Sequence, residues 1–483
     1  MKLFDFMHDK ALCGNAFRDP SWDTWRVIAR CYDGDASLLT LKQQDLVRKL
    51  IGREQLPTDA PRELFIGAGR RSGKTRFDSL LAVHAAAQDY RPKLAAGEWA
   101  TISVHAVDRQ QARVAFGYCR GLIEASKVLS AEMTNATAEV LEFKHRTRIE
   151  IHTASFRSIR GYSIALALLD EAAYLRTDDS ALPDVELYRA LVPALMTLRG
   201  RLVVTSSLHR KTGLMYAKYR DHFGAAASSS RVLFIQADSR TLNPTLDAEQ
   251  IDADYRDDPA IARAEWGGQF RDDISAYLTE ALIDAALPGR FKRGTRIARS
   301  AFVDMSGGVV DASVLGIAHS EQVDDQLVMI LDRLQTIDSP HEPAKAVAQF
   351  CETLKHFGIT RVTGDRYSAQ WVVNAFAEFG IVYEASELDK SAIFNECSAL
   401  FAEQRVELVD DKRLLTELRL LERRPRPGGR PDAIDHPRGA HDDCANAACG
   451  ALQLAAKESQ SEVGGFLKIE YLMREVSDEI PSG

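Results

Sequence analysis

Gly67-Ala68-Gly69-Arg70-Arg71-Ser72-Gly73-Lys74-Thr75 is the stretch on which the reading of this chain turns. A short apolar run, Leu64–Ile66, precedes it, and a helical pattern, Thr75–Ala87, follows. A Gly-rich turn between strand and helix is the setting of a phosphate-binding loop. There, backbone N–H groups and the helix N-terminus cradle a polyphosphate. Gly69, Arg71, Ser72 and Gly73 would form the cradle. Lys74 would reach the β- and γ-phosphates, and Thr75 would place its hydroxyl on Mg2+. The strict pattern has glycine where Ala68 stands, but Gly67 and Gly69 flank it and let the loop turn. Nucleotide kinases share such a loop, so it implies nucleotide binding without choosing between transfer and hydrolysis.

A second motif chooses hydrolysis. Ile164–Leu169 is a continuous apolar run ending in Asp170-Glu171. A buried parallel strand of this kind delivers Asp170 beside the loop to hold the Mg2+ water shell, with Glu171 one residue on to orient the attacking water. A kinase has no need of that glutamate, so the pair points to an ATPase. Leu202–Thr205 is a third apolar run, ending in Thr205-Ser206-Ser207. Lying beside the Asp170 strand, its hydroxyl tip would sense the γ-phosphate and relay hydrolysis. Upstream, Gln43 or Gln44 offers an amide to an adenine edge, and Gln43 fits the spacing better. Thr101–Val104 and a hairpin of Val140–Phe143 with Arg148–Ile151 complete a mainly parallel α/β sheet over 36–230, after an N-terminal segment, 1–35. The run Ala225–Ser230 reads as a loop.

Residues 231–295, rich in Asp, Arg and Ala, read as a helical connector and hinge. From Ala301 a second α/β pattern begins. Ala301–Asp304, Val314–Ala318 and Leu327–Leu331 suggest three antiparallel strands. Helix Pro343–Phe357, strand Thr360–Thr363, helix Ala369–Phe379 and strand Ile381–Tyr383 follow. This is the ribonuclease H-like order, filling 296–457 with helices near Ser391–Gln404, Leu414–Leu421 and His441–Lys457, and leaving a polar tail over 458–483. Asp304 ends the first strand, Asp365 follows the fourth, and Asp442 and Asp443 open the last helix. That order gathers the acids. Hard carboxylate oxygens at one point suit Mg2+ or Mn2+. Two such ions, about 4 Å apart, activate a water and stabilise a leaving 3′-oxygen. Asp311 reads as a turn residue that could assist a second ion. His436 and His441 flank the acids as loop residues.

The remaining bulk properties are permissive. A chain of 483 residues suggests two or three domains. Its net charge of −8 does not announce nucleic acid, nor exclude a local basic groove. Seven cysteines without a CxxC pair suggest reduced thiols. The N-terminus lacks a signal-peptide core, and no stretch of ~18 uncharged apolar residues would span a membrane. These features suggest a soluble intracellular protein with no membrane role.

Together, Arg70-Arg71-Ser72-Gly73-Lys74-Thr75, Leu169-Asp170-Glu171-Ala172, Asp304, Gly364-Asp365, Ile434-Asp435-His436-Pro437 and His441-Asp442-Asp443-Cys444-Ala445-Asn446-Ala447 resemble the large terminase subunits of tailed double-stranded DNA phages and prophages. The resemblance covers about residues 36–457. It implies a P-loop, additional-strand ATPase domain followed by a ribonuclease H-like nuclease, using ATP with Mg2+ in the first and two Mg2+ or Mn2+ in the second. It implies cleavage of concatemeric double-stranded DNA and packaging through a portal into a procapsid. It further implies a small terminase subunit as partner, a homo-oligomeric ring on the portal, and the host bacterial cytoplasm as location. Arg70 matches the family's arginine finger, with Arg71 its neighbour. Lys74, Thr75, Asp170 and Glu171 match the ATPase positions, and Thr205 and Ser206 the coupling motif. Asp304, Asp365 and one of Asp442 and Asp443 match the nuclease ligands. Asp443 is favoured because the helical pattern directly follows it. The competing readings are a repair-type helicase–nuclease and an inactive prophage remnant that binds DNA or portal as a scaffold.

Overall fold

Strand alternation explains the first half of the molecule. In β1 (Glu63–Ala68), Leu64 and Ile66 face one apolar layer while Phe65 faces the other. Successive side chains of a strand point to opposite faces, so an uninterrupted apolar run belongs to a sheet covered on both sides. This computed structural model describes all residues except 154–160, 176–182, 226–230, 272, 290, 292–294, 324–325, 366–369, 427–429, 438–439 and 460–483. The run 225–230 and the tail therefore lie almost wholly outside the described residues, as does Ala369. The chain divides into two compact units, Met1–Asp273 and Ile274–Gly483.

The first unit is built on an eight-stranded sheet. Besides β1 it contains β2 (Ala100–Ala106), β3 (Met133–Ala136), β4 (Val140–Phe143), β5 (Thr147–Thr153), β6 (Ser163–Asp170), β7 (Arg201–Ser206) and β8 (Val232–Ala237), in the order β3-β4-β5-β2-β6-β7-β1-β8. β5 through β8 run parallel, and β3, β4 and β5 form an antiparallel edge. One strand, β7, lies between the P-loop strand β1 and the acidic strand β6. That is the additional-strand form of a P-loop ATPase.

Helix Lys74–Ala86 is buried along nearly its whole length. A helix apolar all round needs cover on every side. Here the N-terminal helices supply part of it: Trp25 of helix Asp23–Asp33 lies 4.6 Å, ring to ring, from Phe77. Two stretches set apart in the sequence reading thus sit inside this unit. Residues 1–35 contribute core, and Val232-Leu233-Phe234-Ile235, within the expected connector, forms the edge strand β8. Both are apolar segments whose burial needs a partner distant in sequence.

The second unit begins with the short β9 (Ser275–Ala276). Its main sheet has β10 (Thr295–Asp304), β11 (Ser313–Val323), β12 (Gln326–Ile337), β13 (Arg361–Gly364), β14 (Val382–Ala385) and β15 (Val406–Glu407), in the order β14-β13-β10-β11-β12-β15. β10, β11 and β12 are antiparallel. β13 runs parallel to β10 and to β14. This is the ribonuclease H-like order, with β15 added beside β12. β9 pairs with β16 (Glu422–Arg424), which pairs with β17 (Ala433–Asp435). Ala301 and Val303 face helices Pro343–His356 and Gln370–Glu378, while Phe302 faces the last helix, 443–459. That helix lies very close to the sheet. A Cβ on Gly450 would fall 2.4 Å from the Phe302 ring, and one on Gly316 would fall 2.4 Å from the Ala447 carbonyl oxygen. Any larger residue there would push the helix, and the acids at its start, away from β10. Among the described residues, no helix is long and apolar enough to cross a membrane.

Candidate nucleotide site and candidate metal centre

Three adjacent strands of the first unit end together. Register places Gly67 beside Ser206 and Asp170 beside Thr205. The loop after β1 uses two left-handed residues, Arg71 (φ +58°) and Gly73 (φ +96°), to reach the helix. Its carbonyls are held by protein donors. Trp25 Nε1 donates to Ser72 O (2.8 Å), Ser239 Oγ to Arg70 O (2.7 Å) and Asn243 Nδ2 to Arg71 O (3.0 Å). Gly69 is a close approach, since a Cβ there would meet Ser239 Oγ at 2.2 Å. Helix Lys74–Ala86 starts without a side-chain cap, so its first N–H groups are available to phosphate oxygens. The Ser72 hydroxyl is buried with no protein hydrogen-bond partner among the described residues. The loop therefore fits a polyphosphate.

Lys74 is 5% exposed. Its Nζ donates to the carbonyls of Ala68 and Gly69 (both 3.2 Å) and to Ser207 Oγ (3.0 Å), and lies 3.4 Å from Glu171. Thr75 Oγ1 donates to Asp170 Oδ2 at 2.8 Å. A hydroxyl and a carboxylate this close are hard-oxygen donors suited to a Mg2+ shell. Burial, then the charge of Glu171, pushes the Asp170 carboxyl up to about 6, against hydrogen bonds that lower it. Glu171 holds a left-handed backbone (φ +53°), a conformation costly for a residue with a Cβ. Its carboxylate accepts from Ser207 N (2.9 Å) and Ser206 Oγ (3.4 Å). Thr205 Oγ1 lies 3.3 Å from Asp170. The tip of β7 thus touches both acids of β6.

Three residues of the sequence reading have other partners. Gln43 completes a capping box: its Oε1 accepts from Thr40 N (3.1 Å) and Thr40 Oγ1 (3.0 Å). No described hydrogen bond joins it to the loop, because a Gln at the third helical position satisfies the helix start locally. Gln44 donates to Leu39 O (2.9 Å). The Arg70 guanidinium, 58% exposed, pairs with Glu265, whose carbonyl also accepts from Arg70 N (2.6 Å). Asp78 escaped the sequence reading. It is a carboxyl 2% exposed, one turn beyond Thr75, with Oδ2 at 2.5 Å from Thr205 Oγ1. The signal was present: a lone acid among Phe77, Leu80 and Leu81.

In the second unit, the ends of β10 and β13 and the start of the last helix bring four acids together. Asn446 Nδ2 donates to Asp304 Oδ2 (2.8 Å) and reaches Asp365 Oδ2 at 3.5 Å. Burial, then Asp365, raises the Asp304 carboxyl well above the usual range; Asp443 and Asp442 push the same way. Burial also raises Asp365 and Asp443. Carboxylates crowded in a low dielectric repel one another and call for a cation. The Asn446 Oδ1 acceptor is buried with no donor among the described residues. An all-oxygen, acidic donor set of this kind fits Mg2+ or Mn2+. Asn446 was another omission, although a residue three beyond Asp443 and four beyond Asp442 shares their helix face. Asp311 pairs with His441 (3.3 Å).

Asp442 and Asp443 carry different counterions. Lys390 Nζ bridges Asp442 Oδ2 (2.8 Å) and Asp435 Oδ1 (2.9 Å), while Arg413 lies 3.3 Å from Asp443. Possible ligand atoms of Asp435, His436 and Asp442 lie within 4.8 Å of one another. Lys390 therefore partly neutralises the acids as protein charge. Breaking a buried ion pair costs about 3–5 kcal/mol. Lys390 is one-third exposed, so solvent reduces that to roughly 1–2 kcal/mol. Lys390→Met should accordingly melt a few degrees lower in chelator, and Mn2+ should recover more of the loss than it adds to the wild type. Equal Mn2+ shifts in both proteins would refute this role.

None of the protein-family models and no curated protein matches the chain. Among solved structures it is similar to the HK97 bacteriophage large terminase (14% identity, 90% of this chain and 100% of that one, TM-score 0.41). It is also similar to the large terminase of a thermophilic bacteriophage in complex with ADP (11% identity, 85% and 98%, TM-score 0.38). A third is the large terminase nuclease of thermophilic phage G20c with bound magnesium (15% identity, 37% and 96%, TM-score 0.29). These solved structures, to which this α/β chain is similar, are large terminases of tailed phages, and the likenesses extend over both the ATPase and the nuclease domain.

Proposed function

We propose that the chain is an ATP-driven motor on double-stranded DNA joined to a metal-dependent DNA endonuclease, the large terminase subunit of a tailed phage or prophage. The observation that carries this is the pairing of two sites in one chain. A P-loop lysine and a strand-end Asp-Glu pair meet in the first unit, and Asp304, Asp365, Asp442 and Asp443 cluster in the second.

In the motor, the N–H groups at the start of helix Lys74–Ala86 and Lys74 bind the β- and γ-phosphates. Thr75 and Asp170 would hold Mg2+, and the ion would supply positive charge against that developing on the phosphates. Glu171, fixed by Ser207 N and Lys74, orients the attacking water. Thr205 and Ser206 carry the change at the γ-phosphate away from the site. Arg70 is the candidate arginine finger, with Arg71 its alternative; to reach a phosphate it must leave Glu265. In the nuclease, Asp304, Asp365, Asp443 and Asp442 would hold two divalent ions that activate water and stabilise the leaving 3′-oxygen. Asn446 orients Asp304, while Lys390 and Arg413 orient the paired acids of the last helix. The partners of this function are concatemeric DNA, a portal and procapsid, and a small terminase subunit. Its setting is a portal-bound ring in the host bacterial cytoplasm.

A translocation assay tests the motor. With ATP, the wild type should strip a third-strand oligonucleotide from duplex DNA without separating a forked duplex. Glu171→Gln should strip none. Because grip on phosphates is sequence-independent, binding should weaken steeply with salt. Unwinding of the fork would favour a repair-type helicase–nuclease. Absence of both ATP turnover and metal-dependent cutting would favour an inactive scaffold.

A further inference from the structure

Three consecutive carbonyls of the phosphate loop are held by side chains that lie outside both motifs of the motor. Ser239 Oγ donates to Arg70 O (2.7 Å), Asn243 Nδ2 to Arg71 O (3.0 Å) and Trp25 Nε1 to Ser72 O (2.8 Å). The Asn243 amide is fixed that way round, because its Oδ1 accepts from Thr245 N (3.3 Å) and a backbone N–H can only donate. Ser239 opens the short helix Ser239–Leu242 and Asn243 ends it, while Trp25 comes from helix Asp23–Asp33. Thr24 Oγ1 donates to Thr241 O (2.7 Å) and ties these two helices together. Trp25 and Ser239 are fully buried. A peptide unit is planar and trans, so holding its C=O also sets the N–H of the next residue, which points the opposite way. The held carbonyls therefore set the N–H groups of Arg71, Ser72 and Gly73. The two N–H groups before them are spent inside the protein, Gly69 N on Ala237 O (3.2 Å) and Arg70 N on Glu265 O (2.6 Å). Those of Arg71, Ser72 and Gly73 have no acceptor among the described residues, and the buried Ser72 hydroxyl has no partner among them either. Left-handed residues at Arg71 and Gly73 within such a run are the backbone form that makes an anion-binding concavity.

We propose that Trp25, Ser239 and Asn243 are positioning residues of the ATPase site: by holding the carbonyls of Arg70, Arg71 and Ser72, they aim three loop N–H groups at the polyphosphate before it arrives. Donors fixed in advance need no reorganisation when the ligand binds. The left-handed Arg71, disfavoured for a residue with a Cβ, is kept in place by one clamp on the carbonyl before it and another on its own. Residues 1–35 thereby enter the nucleotide site through Trp25. This role rests on the ATPase reading of the site.

The test removes single donors and reads three ligands. Ser239→Ala deletes one hydroxyl, and Trp25→Phe deletes the ring N–H while keeping an aromatic ring against Phe77. Each variant should raise the Kd for ADP with Mg2+, the KM for ATP and the inhibition constant of pyrophosphate together, by about 3- to 10-fold, the scale of one hydrogen bond. At saturating ATP, kcat should fall less than about threefold, because contacts made equally in ground and transition states act on KM. Pyrophosphate carries neither base nor ribose, so its parallel loss assigns the effect to the phosphate cradle. Weakened ADP binding with pyrophosphate unaffected would overturn the proposal, as would unchanged constants in Ser239→Ala. Should Trp25→Phe fail to fold, Asn243→Ala takes its place with the same expectation. Wild-type protein that binds no ADP and hydrolyses no ATP would instead defeat the ATPase reading itself.

Discussion

Asp304→Ala is expected to abolish metal-dependent cleavage of plasmid DNA, by about 10³-fold or more, while ATP turnover stays within about twofold of wild type. Removing one member of a group that acts as a unit costs nearly as much as removing the whole. Asp304 is central to its unit. It ends β10, accepts from Asn446, and is pushed up by burial first and then by Asp365, Asp443 and Asp442. The fold should survive. The substitution removes a buried carboxyl that three neighbours repel. Supercoiled plasmid with Mn2+ reads the cutting, and phosphate release reads the ATPase. Loss of both activities with an unchanged melting temperature would defeat the assignment of separate sites.

Lys74→Ala should do the reverse, lowering ATP turnover about 10²- to 10³-fold, the scale on which a single charge-stabilising donor acts. Plasmid cleavage with Mn2+ should persist. Lys74 is buried between two loop carbonyls, Ser207 and Glu171. Its removal leaves polar groups without a donor, at about 1–3 kcal/mol. The variant should therefore melt lower yet remain folded, and the persisting cleavage reports that directly. Full ATP turnover in folded Lys74→Ala would refute the P-loop assignment.

Much of the architecture was legible because it is written in local pattern. The turn Gly67–Thr75, the apolar run into Asp170-Glu171 and the three strands after Ala301 each declare their element within about ten residues. Strand β8 and the N-terminal helices were not legible as parts of the first unit. An apolar segment does not reveal which distant surface buries it. Gln43 shows the reverse case: the oxygen of a plausible ligand amide is taken by its own helix start, at Thr40 three residues away.

The division follows from range. Glycine placement, periodicity and strand-end acids are near-neighbour properties, so the sequence by itself determined a P-loop unit followed by a ribonuclease H-like unit and named most of the acids. The joining of Asp78 to Thr205, 127 residues apart, of Asn446 to Asp304, 142 apart, and of Lys390 to Asp435, 45 apart, was decided only by tertiary structure. Sheet register and the close seating of the last helix on Phe302 set those distances, and no local pattern encodes them.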